Sequence, residues 1–80
     1  MKAVIYSKTK SVCPYCVKAK ALFEKHGIDY EEISVEDNRE ECFRVVREAT
    51  GSDPKTAPQI FIDGEYIGGH DQLVEWLAKA

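Results

Sequence analysis

The spacing of apolar residues switches repeatedly between short runs, helical stripes and alternation, and each switch marks an element. Ala3-Val4-Ile5-Tyr6 is an apolar run with β-branched and aromatic members, which predicts a buried strand. Ser7 to Val12 reads as a loop. Pro14 suits the first turn of a helix, where its missing N–H costs nothing, and Val17, Ala21 and Leu22 recur at helical spacing through about His26. Gly27 is a good stop for that helix. Ile28 to Val35 is the next strand, with Ile33 and Val35 alternating against Glu32 and Ser34. Cys42, Val45, Val46 and Ala49 fall on one face at i, i+3, i+4 and i+7, predicting a helix from about Asn38 to Ala49. Thr50-Gly51-Ser52-Asp53-Pro54 ends it with turn formers. Gln59-Ile60-Phe61-Ile62 and Glu65-Tyr66-Ile67 read as strands joined by Asp63-Gly64, a strong hairpin signal. Beyond Gly68-Gly69, the residues Leu73, Trp76, Leu77 and Ala80 make the apolar stripe of a closing helix.

The order is therefore β-α-β-α-β-β-α. A strand–helix–strand opening implies a right-handed crossover and a parallel pair, and the hairpin adds an antiparallel one. An α/β fold with a four-stranded mixed sheet flanked by three helices satisfies both constraints, which is the thioredoxin-like arrangement. Residues 1–80 show no repeat, linker or low-complexity segment and are expected to form a single domain. A chain this short buries only about 60% of its extended surface, so the core should be modest.

Composition narrows the function classes. No apolar run approaches the roughly 20 residues needed to span a bilayer, and Met1 to Tyr6 does not read as a cleavable signal. A cytoplasmic protein without membrane attachment is expected. A net charge of −3 argues against a nucleic-acid binder. The acidic residues Glu31, Glu32, Glu36, Asp37, Glu40 and Glu41 read as solvated surface. Lys8, Lys10, Lys18 and Lys20 surround the most reactive-looking residues of the chain, and serve equally well as solvated surface or as an attraction for an anionic substrate. Three cysteines, an odd number, fit a reducing compartment with a functional pair better than a disulfide-stapled secreted chain.

Cys13 and Cys16 are that pair. Their spacing puts both sulfurs on one side of a helix's first turn, close enough for a disulfide. Unpaired N–H groups and the partial positive charge of the helix N-terminus favour a thiolate at Cys13. Cys13 can attack a substrate disulfide, and Cys16 can then attack Cys13 and release the reduced product. A half zinc site and a plain structural disulfide are the competing readings; for zinc, the further candidates Cys42, His26 and His70 lack paired ligand spacing. No metal is expected. Cys42 lies on the apolar stripe of the second helix and reads as an inert core thiol.

Cys13-Pro14-Tyr15-Cys16 at a strand–helix junction resembles the active site of the dithiol glutaredoxins. Thr56-Ala57-Pro58, Gln59-Ile60-Phe61-Ile62-Asp63 and Gly68-Gly69-His70-Asp71 are similar to the family pattern in order and spacing. The resemblance implies a glutathione-dependent thiol–disulfide oxidoreductase with glutathione as co-substrate. It places Lys10 at the glycyl carboxylate and Tyr15 in the groove wall. Thr56-Ala57-Pro58 would turn backbone groups next to a cis proline toward the cysteinyl part. Gly69, His70 and Asp71 would lie at the γ-glutamyl end. The sequence departs from the pattern at Gln72, where many relatives have an aspartate, at Phe43, where many have Gln or Arg, and at Ala57 for the usual valine. The implied partners are disulfide-bearing or glutathionylated proteins, ribonucleotide reductase among them, acted on by a monomer. Reduction by thioredoxin reductase is a second reading. An iron–sulfur carrier is a third, associated with a Cys-Gly-Phe-Ser type of site that Pro14 and Tyr15 do not match.

Overall fold

In the computed structural model, which describes residues 1–79, the chain runs β1 (Lys2–Ser7), α1 (Pro14–Lys25), β2 (Asp29–Ser34), α2 (Arg39–Thr50), β3 (Gln59–Ile62), β4 (Glu65–Gly68) and α3 (His70–Lys79). The sheet order is β2-β1-β3-β4, with β1 and β2 parallel and the other pairs antiparallel. This is the expected thioredoxin-like arrangement.

The two-residue period of the strands splits the core into two layers. Ala3, Ile5, Ile60 and Ile62 point to one face and pack with Ala19 and Phe23 of α1 and Leu73 of α3. Tyr6 points to the other and packs with Cys42 and Val46 of α2, flanked by Val4 and Phe61. Each helix covers a sheet face with one apolar stripe, as short amphipathic helices must.

The stripe of α1 differs from the expected one. Val17 and Ala21 are exposed, and the helix buries Cys16, Ala19 and Phe23. Ala19 and Phe23 are four residues apart, so the small side chain lets the helix approach the sheet while the ring fills the space beside it. Gly27, at φ 66°, ends the helix as the sequence suggests. Its N–H donates to Glu24 and that of Ile28 to Phe23, the paired bonds of a Schellman cap. Leu73, Trp76 and Leu77 of the closing stripe pack into the same layer, whereas Ala80 lies outside the described residues. Asp63, at φ 50°, and Gly64, at φ 83°, supply the positive φ values that a two-residue hairpin turn requires.

Phe23 is fully buried at the centre of the larger layer. Phe23→Ala should lower unfolding free energy by about 3–5 kcal/mol, a large share of the total for a domain of this size, read as a fall in urea midpoint.

The topology gathers the chain's turns at one end. Tyr6 of β1 lies opposite Gln59 of β3, so the segment 56–58 arrives beside the loop that leads into α1. Gly68 pairs with Ile60, which brings the start of α3 to the same edge. Among the described residues no helix is long and apolar enough to cross a membrane.

Candidate functional site

Cys13 caps the N-terminus of α1, with Pro14 in the first helical position. A disulfide joins it to Cys16 across a Cα separation of 5.3 Å. The N–H groups of the first turn have no helical partner, and no acidic residue stands in that turn to oppose a negative sulfur. Reduction therefore leaves Cys13 as a stabilised thiolate. Cys16 is 1% exposed and Cys13 is partly exposed, so a substrate reaches Cys13 first. The Cys13 Sγ lies 3.9 Å from the Ala57 carbonyl oxygen, a contact that sets the sulfur beside the 56–58 segment.

Ala57 also lines a cavity of about 250 Å³, together with Tyr15, Thr56, Pro58, Gly69, His70, Asp71 and Gln72. Residues from α1, the 56–58 segment and α3, far apart in sequence, meet here. The Ala57–Pro58 bond is cis, as the resemblance implied. The Tyr15 and His70 rings lie 5.5 Å apart, and His70 Nδ1 is 3.1 Å from an Asp71 carboxylate oxygen. A hydrogen-bond chain holds the 56–58 segment from behind. Tyr66 donates its hydroxyl to Gln59 Oε1 at 2.6 Å, and Gln59 Nε2 donates to the Thr56 carbonyl at 2.8 Å.

Gln72 resolves one departure from the family pattern. Its Oε1 accepts the Gly69 N–H at 2.9 Å, so it caps α3 from the third helical position. A Cβ on Gly68 would sit 2.9 Å from Gln72 Cγ, which the glycine avoids. The N–H groups after Gly69 remain available to an anion.

A second cavity of about 400 Å³ shares Thr56 and Ala57 with the first, and its wall includes Lys8, Arg39, Phe43 and Lys55. Lys10 lines neither cavity. Its ammonium is ion-paired with Asp37, whereas Lys8 is in the wall of the larger cavity. The cause is Glu36, which accepts the N–H groups of Thr9 and Lys10 at 2.9 and 2.7 Å and the Ser11 hydroxyl at 2.8 Å. That clamp fixes the loop before Cys13 and turns Lys10 outward. Lys18 lies over the Tyr15 ring at 5.2 Å, and Lys20 is ion-paired with Glu32 at 2.8 Å. Of the four lysines near the pair, Lys8 alone faces the groove without a carboxylate partner among the described residues. Glu36 reads as solvated surface in the sequence because loop pairings leave no periodic trace.

Glu32 also accepts the buried Ser7 hydroxyl. The bonds from Lys20 and Ser7 hold its carboxyl below the usual glutamate range. Glu36, bonded by the Lys10 N–H and Ser11, and Asp37, bonded by Lys10, are lowered too. Carboxyls with depressed folded-state pKa stabilise the fold above the unfolded value of about 4.3 and lose that contribution as pH falls through the folded one. The urea midpoint of the oxidised protein should therefore hold from neutrality to about pH 5 and fall below about pH 4. Glu32→Gln should make that fall shallower; an identical profile would remove Glu32 from the account.

Cys42 is fully buried, and burial followed by the Glu41 charge pushes its thiol pKa up, which suits an unreactive core residue. Among the described residues no group of three His, Cys, Asp or Glu side chains is placed to hold a metal.

Comparison with known proteins gives one consistent result. The family model described as Glutaredoxin matches residues 3–67. "Glutaredoxin 1" of Rickettsia bellii is 45% identical over 73 residues, covering 90% of this chain and 72% of that protein. "Glutaredoxin 3" of Escherichia coli is 40% identical over 65 residues, covering 81% and 75%. The crystal structure of a buckwheat glutaredoxin–glutathione complex superposes with a TM-score of 0.76 at 32% identity, covering 96% of this chain and 68% of that one.

Proposed function

The chain belongs to the glutaredoxin family and is a glutathione-dependent thiol–disulfide oxidoreductase, and from this premise we propose how its groove holds glutathione. The cysteinyl sulfur sits at Cys13, beside the Thr56-Ala57-Pro58 backbone. The γ-glutamyl end, with a carboxylate and an ammonium, lies against Tyr15, Gly69, His70 and Asp71, where helix N–H groups and an exposed carboxylate meet both charges. The glycyl carboxylate lies toward Lys8 rather than Lys10. The observation that carries this reading is the convergence of Tyr15, Thr56 to Pro58 and Gly69 to Asp71 on one cavity beside Cys13.

The steps follow from the geometry. The Cys13 thiolate attacks the glutathionyl sulfur of a mixed disulfide; the new Cys13–glutathione bond forms as the substrate thiolate leaves and takes a proton from solvent. A second glutathione thiolate attacks the glutathionyl sulfur, regenerating Cys13 and yielding glutathione disulfide. With a protein disulfide, the Cys13 thiolate attacks one protein sulfur and the other leaves as a thiolate; the Cys16 thiolate then attacks the Cys13 sulfur, closing the Cys13–Cys16 disulfide and freeing the first, and two glutathione thiols reduce that disulfide and yield glutathione disulfide. We place this work in a reducing cytoplasm, on disulfide-bearing or glutathionylated proteins with ribonucleotide reductase among them. The residues form one catalytic unit that acts as a monomer.

A coupled assay with a small glutathione mixed disulfide, glutathione, glutathione reductase and NADPH tests the reading. Turnover that saturates with the mixed disulfide is expected. No turnover there, with reduction by thioredoxin reductase instead, would defeat it.

A further inference from the structure

Two unlike cavities share Thr56 and Ala57, the latter in contact with the Cys13 sulfur. One offers helix N–H groups and a carboxylate. The other gathers Lys8, Arg39 and Lys55, and none of the three is in an ion pair among the described residues. Arg39 instead rests over the Phe43 ring at 5.0 Å. The acid in that wall, Glu36, already accepts two backbone N–H groups and a hydroxyl. This concentration of cations stands on a chain of net charge −3.

Glutathione does not account for it. Its glycyl end carries one carboxylate, and three cations face it. We propose that the surplus selects protein substrates in which acidic residues immediately follow the target cysteine. This rests on the glutathione orientation above. Glycine follows cysteine in glutathione, so a polypeptide taking its place runs its next residues past Lys8, Arg39 and Lys55. Pro54 and Phe43 in the same wall give the stems of those residues an apolar support. A general field effect would act the other way, since a net negative protein repels acidic peptides.

Capture kinetics separate these cases. The Cys16→Ser protein is reacted with blocked peptides carrying one cysteine as a 2-thiopyridyl disulfide. The Cys13 thiolate attacks the peptide sulfur, a Cys13–peptide disulfide forms, and thiopyridone leaves with the electron pair and is read by its absorbance. Ala-Cys-Glu-Glu should be captured about fivefold faster than Ala-Cys-Gln-Gln at low salt, the scale of one or two solvated ion pairs. Glu-Glu-Cys-Ala should gain little over the neutral peptide. Arg39→Gln and Lys55→Gln should each shrink the ratio of acidic to neutral rates, and high salt should abolish it. Equal rates, slower capture of the acidic peptide, or the same gain in both orders would overturn the proposal. Failure to capture the neutral peptide would bring down the underlying reading, and the proposal with it.

Discussion

Cys13→Ser should lower turnover of glutathione mixed disulfides and of protein disulfides alike by at least about a thousandfold, the scale on which enzymes lose rate with their nucleophile. A serine at the helix N-terminus keeps the hydrogen-bonding environment but stays protonated at neutral pH, and its oxygen forms no disulfide. The other two sulfurs are poorly placed to take over. Cys16 is 1% exposed, one turn inside α1, and Cys42 is fully buried behind the sheet with its thiol pKa raised. Rates measured in the coupled assay at matched protein concentration give the comparison. Activity above about one per cent of the parent would move the nucleophile to another cysteine.

Cys16→Ser should divide the two activities. Reduction of a protein disulfide needs a second thiol to release the Cys13-bound substrate, and the Cα separation of 5.3 Å lets Cys16 do so without moving the backbone. Without it the protein disulfide reaction stops at the mixed disulfide, and turnover should fall to background. Deglutathionylation should persist within a fewfold of the parent, because free glutathione performs the second attack. A variant that still reduces protein disulfides at the parent rate would mean that glutathione resolves both adducts and that Cys16 is dispensable.

Much of this was readable from the residues. The first strand is legible as a β-branched apolar run, the second through alternation, the turn at Asp63-Gly64 through its chemistry, and the end of α1 through Gly27. The reactive pair was visible because a helix start at Pro14 fixes where Cys13 and Cys16 must lie. Val17 misled because helical spacing alone does not say which stripe faces inward; Phe23 and Ala19 decided that through contacts with β1 and β3. The direction of Lys10 depends on partners that its own segment does not show. Counting back from Cys13 suggests a groove position, but Glu36 and Asp37, from the far side of β2, tie the loop down and draw its ammonium away. Gln72 looked like a lost charge and is instead the cap of α3. What the residues do not show is which helix stripe tertiary contacts will bury, and which loop and cap groups will pair.

Attachment of glutathione to Cys13 is the step on which both activities depend. Intact-mass and peptide-mass measurement of Cys16→Ser after brief exposure to a glutathione mixed disulfide tests it directly. One glutathionyl group per chain on the peptide containing Cys13, removed by added glutathione, is the predicted result. An adduct on Cys42, or none while the parent protein turns over, would contradict it.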